Sequence, residues 1–175
     1  SEDLLKLEIT DIQLEQYYEE NKEKYKASLI TQVSVTPKDK DNVDTDKLQH
    51  FLKTIKTRLQ KDENLDDLSN NSLYNVKIKK AAEVRRDKYY KALADTIFNM
   101  SVGEISEPVK LKNSYIILKI LEGPYYLPFK KVKNNIKFEV RNNNFNSYLK
   151  NLKDSENVEI YISEEIKETK SNAEN

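Results

Sequence analysis

Several residue types that commonly build functional sites are missing or rare in this chain of 175 residues. It has no cysteine, and its one histidine is His50. Without cysteine there is no disulfide bond, thiolate zinc site or thiol nucleophile. A single histidine rules out a metal centre with several imidazole ligands and weakens any mechanism that relies on a histidine base. We therefore expect neither a metal nor a cofactor.

An excess of charge of one sign is also missing. Thirty basic residues balance thirty acidic ones, so the formal net charge is zero. This balance gives no reason to expect nucleic acid or an anionic membrane surface as a partner. No apolar run approaches the roughly 20 residues that span a bilayer, so no transmembrane segment is predicted. The chain begins at Ser1 and not at a methionine, so the lack of a signal peptide says nothing about export.

The spacing of apolar residues predicts an α+β fold. Helical periodicity is found over residues 10–24, 45–61, 88–100 and 129–153. Apolar alternation predicts strands over residues 27–36, 73–84, 114–121 and 158–162. Thr10 and Gln13 have the spacing of a capping box at the start of the first helix. His50 lies beside the apolar stripe of the second helix, and we expect it to be solvated.

The predicted elements divide the chain into four segments. These are an N-terminal helix in residues 1–26, an α+β domain in residues 27–123, a C-terminal helix and strand in residues 124–162, and a disordered tail in residues 163–175. The PYYLP sequence after Gly123 has the composition of a linker. The first and third segments are expected to form a second, helical lobe.

One stretch carries a specific family resemblance. The sequence ALADTIFNMSVGEISEPVKLKNSYIILKILEG resembles the closing half of the parvulin-type peptidyl-prolyl isomerase domain, a helix, a Gly-Glu-x-Ser-x-Pro-Val turn and a final strand. The matching positions are Phe98, Met100, Gly103, Glu104, Ser106, Pro108, Val109, Tyr115, Ile117 and Lys119. With its flanking helices the chain is similar to exported SurA/PpiC/PrsA-like foldases over roughly residues 9–162. The resemblance implies a small mixed or antiparallel sheet with helices.

Important positions depart from the family pattern. The resemblance puts Gln32 and Ile116 where active parvulins carry histidines, and Tyr89 and Leu93 where they carry a Met and a Phe of the proline pocket. The glycine-rich central segment of the family is replaced by SNNSLYNVKI, which has no glycine. The resemblance therefore implies a degenerate site without catalytic residues. The pocket that it implies for a client or a proline consists of Phe98, Met100, Tyr115, Tyr89 and Leu93.

These departures favour a folding factor over an isomerase. The resemblance implies a SurA/PrsA-like chaperone that binds unfolded polypeptide clients and has weak or no isomerase activity. One alternative is an active isomerase with an altered site, in which Gln32, Phe98, Met100 and Tyr115 would act. Another is a non-catalytic envelope interaction module with one stoichiometric partner.

The flanking helices bear on partners and location. Exported foldases of this group usually have a longer helical region before the first helix, whereas here nine residues precede Thr10. We expect the helices over residues 10–24 and 129–152 either to pack together or to swap between two chains in a homodimer. The resemblance also implies a periplasmic or otherwise extracytoplasmic location, with membrane anchoring left open.

Overall fold

The structure is a computed structural model that describes the backbone of residues 8–173 and the side chains up to residue 154. Within this range the helices are α1 (Asp11–Glu20), α2 (Thr45–Gln60), α3 (Lys91–Ile97) and α4 (Phe129–Ala173). The strands are β1 (Lys26–Pro37), β2 (Tyr74–Arg85), β3 (Val109–Leu111) and β4 (Ser114–Tyr126). Short 3₁₀ turns occupy Lys22–Tyr25 and Asp66–Asn70. The predicted α+β fold class is confirmed.

The chain divides into two compact units. One comprises Asn21–Leu127, and the other comprises the described residues up to Glu20 together with those from Pro128 onward. The boundaries predicted after residues 26 and 123 fall within β1 and β4, because both strands are longer than their apolar alternation suggests. The first seven residues and the last two, which belong to the predicted terminal segments, lie outside the described residues.

The α+β unit is built on one antiparallel sheet with the strand order β2-β1-β4-β3. The two long strands β1 and β4 form its centre, and Val33 of β1 is paired with Ile78 of β2 and Ile117 of β4. Because successive side chains of a strand point to opposite faces, each central strand supplies apolar groups to both sides. β3 lies at one edge of the sheet.

Each face of the sheet carries its own buried cluster. The α2 face packs against α2 and contains Val33, Val35, Leu48, Leu52, Ile55, Leu59, Leu65, Leu68, Tyr74, Val76 and Ile117. The α3 face packs against α3 and contains Ile30, Val84, Leu93, Ala94, Ile97, Phe98, Ile116, Leu118 and Ile120. Neighbouring residues of β4 thus belong to different clusters, as the strand periodicity requires.

The helical unit is formed by α1 and α4. The predicted capping box is confirmed, since the Thr10 hydroxyl accepts from Gln13 N at 3.2 Å and Gln13 Oε1 accepts from Thr10 N at 3.0 Å. Tyr17 donates a hydrogen bond to Glu139 at 3.1 Å, and the rings of Tyr18 and Phe129 meet edge to face at 5.7 Å. The two helices therefore pack together within one chain, and exchange between two chains stays a prediction.

The predicted C-terminal strand and disordered tail are wrong. The backbone of residues 158–162 lies within α4, which continues through Ala173. The chain after Pro128 contains no glycine or proline that would stop a helix. The alternation of Val158, Ile160 and Ile162 extends over too few positions to outweigh this continuous helical propensity.

The predicted linker after Gly123 is also wrong, because PYYLP begins as part of β4. Tyr125 and Tyr126 pair with the first residues of β1, and the Tyr125 hydroxyl donates to Glu83 Oε2 at 2.6 Å. Register shifts in this pairing accommodate Gly123 at φ +100°, where a Cβ would lie 3.0 Å from the Ala27 carbonyl oxygen. Glycine here permits a bend in a continuing strand and not an end to it.

Candidate functional site

The α3 face brings together six of the seven positions singled out from the sequence. Leu93, Phe98 and Ile116 belong to its buried cluster, and Tyr89 and Met100 pack against that cluster while half-buried. Gln32 joins them through Tyr89, whose hydroxyl donates to Gln32 Oε1. Gln32 and Ile116 are diagonal neighbours on adjacent strands, since Gln32 pairs with Leu118 and Ser34 with Ile116. The surface assembled in this way is called the pocket face below.

The pocket face contains few polar groups. Ile116 is 4% exposed, Leu93 is fully buried, and Phe98 is 9% exposed. Burial, assisted by the neighbouring Tyr90, raises the pKa of Tyr89 to about 12, so its phenol is neutral at physiological pH. The Tyr89 proton is used in the bond to Gln32, which also occupies the amide oxygen of that residue. The arrangement offers an apolar floor with one neutral hydrogen-bonded pair at its side.

Arg86 was missed by sequence reasoning and places a positive charge beside this floor. Its guanidinium carbon lies 5.9 Å from the centroid of the Phe98 ring, within the range of a cation–π interaction. Arg86 follows the last residue of β2, and its backbone N–H donates to the Lys26 carbonyl at 2.9 Å. No periodic or motif signal in the sequence indicates this placement, because it depends on the pairing of β2 with β1.

Tyr115 does not belong to the pocket face, which corrects the predicted grouping. It packs against the α2 cluster, whereas its neighbour Ile116 packs against the α3 cluster. The separation follows from strand geometry, because adjacent residues of β4 point to opposite faces. Tyr115 instead lines a cavity on the α2 face.

Gly103 and Ser106, in the turn that resembles the family pattern, form hydrogen bonds with the backbone of β4. Gly103 has φ +86°, a conformation that L side chains rarely adopt, and its N–H donates to the Ile120 carbonyl at 2.8 Å. Ser106 is 4% exposed, and its hydroxyl accepts from Leu118 N at 3.0 Å while its own N–H donates to the Leu118 carbonyl at 2.8 Å. These groups satisfy backbone groups of β4.

Two cavities lie beside α2, on the side of the sheet opposite to the pocket face. A cavity of about 390 Å³ is lined by Gln49, Leu52, Lys53, Lys56, Glu107, Pro108, Lys110 and Tyr115. A second cavity of about 430 Å³ lies on the other side of α2, and its lining includes His50, Phe51 and Tyr74. His50 is exposed, in agreement with the prediction.

Within the part of the chain that the structure describes, no group of three or more His, Asp or Glu side chains is arranged to bind a metal ion. In the same residues no helix has the length and apolar character needed to cross a bilayer.

The sequence matches a family model for the PPIC-type peptidyl-prolyl isomerase domain over residues 9–134. A curated relative, the foldase protein PrsA of a Geobacillus species, is 26% identical over 135 residues, which cover 77% of this chain and 45% of that protein. The chain therefore spans about half the length of this relative.

Two solved structures add neighbours at lower identity. PrsA of Bacillus cereus has a TM-score of 0.38 and 23% identity, with coverage of 82% of this chain and 50% of that one. A chain from work on two structurally related SurA-like chaperones of Campylobacter jejuni has a TM-score of 0.32 and 19% identity, with coverage of 87% and 64%.

Proposed function

Because this chain belongs to the PPIC-type peptidyl-prolyl isomerase family, we propose that it is an extracytoplasmic folding factor that binds unfolded polypeptides. We propose further that its isomerase activity is weak or absent. The named foldase among its relatives supports the first part, and the composition of the pocket face supports the second.

The observation that carries the proposal is the identity of the groups around the pocket floor. An X–Pro amide must cross a barrier of about 18–20 kcal/mol to exchange cis and trans forms. An enzyme lowers this barrier only if it binds the twisted amide better than either planar form. Polar groups placed around the twisted amide are the usual means, and Leu93 and Ile116 have none to offer.

The remaining polar pair is a poor substitute. Gln32 has a neutral amide that can still donate a hydrogen bond through its NH2 group, but it does not exchange a proton near neutral pH, and its oxygen is held by Tyr89. Arg86 carries a charge, but its guanidinium lies over the Phe98 ring and is paired with the Glu23 carboxylate at 4.0 Å. Binding of an apolar side chain needs no such groups, because it can bury the apolar area that Tyr89, Tyr90 and Met100 leave exposed beside the floor.

Exposed apolar groups at the rim of the same region extend the surface available to a client. Tyr90 is 62% exposed and stacks edge to face on Tyr89 at 5.9 Å, and Val102 is 61% exposed in the turn after α3. Tyrosine suits such a role because it combines an apolar body with a polar tip. This rim favours shallow, tolerant contact with an extended chain over a closed catalytic cleft.

Two assays on the same preparation test the proposal. The first follows cis–trans exchange of a proline tetrapeptide, with an active parvulin domain as positive control. We expect at most a marginal increase over the uncatalysed rate. The second follows aggregation of an unfolded model protein, which we expect to be suppressed at near-stoichiometric concentrations.

Each assay has an outcome that overturns one part. Isomerase turnover comparable to the control would contradict the inactive site and favour the altered-site isomerase. Failure to suppress aggregation would contradict the folding function. A pull-down that recovers one stoichiometric partner in place of many unfolded chains would instead favour an interaction module.

A further inference from the structure

The cavity of about 390 Å³ on the α2 face, called the groove below, has an apolar floor and defined sides. Its floor is apolar, since Leu52 is 5% exposed and Tyr115 packs half-buried against the same cluster. Pro108 closes one side, and α2 forms the other through Gln49 and Lys53. A volume of about 390 Å³ lies in the range of sites that accept a large side chain or a small ligand.

The rim of this groove is positively charged, although the chain as a whole is neutral. Lys53, Lys56 and Lys110 line it together with a single acid, Glu107. Glu107 already forms an ion pair with Lys56. Lys53 and Lys110 therefore supply the net positive charge, and the Lys110 ammonium lies 5.8 Å from the centroid of the Tyr115 ring.

The groove also adjoins the edge of the sheet. Lys110 belongs to β3, which is the terminal strand of the order β2-β1-β4-β3, and Pro108 immediately precedes that strand. An edge strand can accept an added strand through its outward backbone groups. An extended polypeptide could thus lie along β3 while one of its side chains enters the groove.

We propose that this groove is a second polypeptide-binding site, which takes an extended acidic segment with one apolar or aromatic side chain. The apolar side chain rests on Leu52 and Tyr115, and flanking carboxylates face Lys53 and Lys110. The proposal rests on the proposed folding function in treating polypeptides as the ligands. It assigns them to the face of the sheet opposite to the pocket face.

The chain offers a clean optical test because it contains no tryptophan. Three capped peptides of equal length are titrated with the full chain: an acidic one with a central tryptophan, a basic one with a central tryptophan, and an acidic one with alanine at the centre. Tryptophan emission and anisotropy report on the peptide alone. The alanine peptide serves as a competitor of the first.

We expect the acidic tryptophan peptide to bind and the basic one to bind at least about tenfold more weakly. The alanine peptide should compete poorly, because it lacks the side chain that fills the groove. Binding should weaken as salt rises from about 0.05 M to 0.5 M, since the rim charges are exposed to solvent. Equal affinity for the acidic and basic peptides would overturn the proposal.

Charge reversal provides matched variants. The double variant Lys53→Glu with Lys110→Glu should reduce affinity by at least about tenfold, because two attractions become repulsions. The control reverses two exposed lysines outside the groove, Lys40→Glu with Lys88→Glu, and should change affinity by less than about twofold. An equal loss in both variants would show attraction to overall charge and would overturn the site.

A steric variant separates groove occupancy from attraction to the rim. Gln49→Tyr fills the groove without changing its charge, and circular dichroism checks that the variant remains folded. We expect a clear loss of affinity for the acidic tryptophan peptide. Unchanged affinity in a folded Gln49→Tyr variant would contradict insertion of the side chain.

The same variants are then tested for suppression of aggregation. If the wild-type chain suppresses aggregation but binds no acidic peptide, the groove is wrong and the folding function stands. If it binds the peptide but suppresses no aggregation, the folding function is wrong and the groove stands.

Discussion

The two faces of the sheet have the same architecture and different surfaces. Each packs one helix against alternate residues of β1 and β4 around an apolar cluster. On the pocket face the positions of interest are filled by Leu93, Phe98 and Ile116, which leaves little polar chemistry. On the α2 face the cluster is flanked by a groove with lysines at its rim.

The comparison shows that two faces of one sheet can be equally well packed and still differ in the polar groups that they present. The pocket face has a helix, a buried aromatic ring and both central strands, with Gln32 and Ile116 at the positions where the sequence resemblance leads us to expect histidines in an active enzyme. Ile116 is 4% exposed and adds its apolar area to the buried cluster, so an aliphatic residue at this position stabilises the fold.

The largest expected effect is the loss of a fully buried side chain on the pocket face. Leu93→Ala should lower the free energy of unfolding by about 2–5 kcal/mol, because it leaves a cavity between α3 and β4. Urea denaturation measures the change. Val102→Ala, at a side chain that is 61% exposed, serves as the control and should cost less than about 0.5 kcal/mol. Similar values for both variants would show that the pocket face is not a packed core.

The next test introduces an imidazole into the pocket face. Ile116→His should cost about 3 kcal/mol, because a polar ring replaces an aliphatic group at a position that is 4% exposed. Burial would hold the pKa of the new imidazole below its usual value of about 6.5, so the unfolded chain takes up the proton first and stability falls further as pH falls through that value.

Ile116→Val is the matched control for this substitution. It should cost about 1 kcal/mol with no added dependence on pH. A loss for Ile116→His that is no larger, and that does not change with pH, would mean that this position is open to water.

A smaller effect is expected on the α2 face, where Lys119 joins β4 to the end of α2. Its ammonium donates to the Leu59 carbonyl at 2.8 Å and forms an ion pair with Asp62, and its side chain is 12% exposed. Lys119→Met keeps the apolar stem and removes these bonds, at a cost of about 1–2 kcal/mol in unfolding free energy. Lys112→Met is an exposed control that should be near neutral. No difference between the two would mean that the helix end is satisfied by water.

The smallest effect concerns the polar pair on the pocket face. Tyr89→Phe removes the hydrogen bond to Gln32 and should cost about 1 kcal/mol near pH 7. The pKa of Tyr89 is raised to about 12, so its stabilising contribution is complete below about pH 10 and is lost as pH rises toward 12.

The gap in stability between wild type and Tyr89→Phe should therefore narrow over this pH range. Burial also raises the pKa of Tyr74 and Tyr125, but both residues are present in each protein and cancel in the difference. Chemical denaturation at pH 9 and pH 11 measures the gap, and a gap that widens with pH would contradict the assignment.

Local signals predicted the regular elements well. α2 was expected over residues 45–61 and spans Thr45–Gln60, because Asp44 caps it and its apolar stripe is strongly periodic. α3 was expected over residues 88–100 but spans only Lys91–Ile97. It begins late because Tyr90 has an extended backbone, and it ends in tight local turns in which Asn99 N donates to the Thr96 carbonyl and Met100 N to the Ile97 carbonyl.

The site was predicted less completely because it depends on which strands pair. Gln32 and Ile116 were chosen by resemblance, and the sheet brings them to one face. Tyr115 was grouped with them although strand alternation alone separates it from Ile116. The bond between Tyr89 and Gln32, and the stacking of Arg86 on Phe98, join residues far apart in sequence, so periodicity carries no sign of them.

The turn between α3 and β3 bears on what a match to the family sequence pattern indicates. Gly103 and Ser106 form hydrogen bonds with the backbone of β4. The fold alone therefore accounts for a glycine and a serine at these positions, independently of any reaction at a proline bond. A match to this turn therefore identifies the fold. Isomerase activity has to be judged from the side chains of the pocket face, such as those at positions 32 and 116.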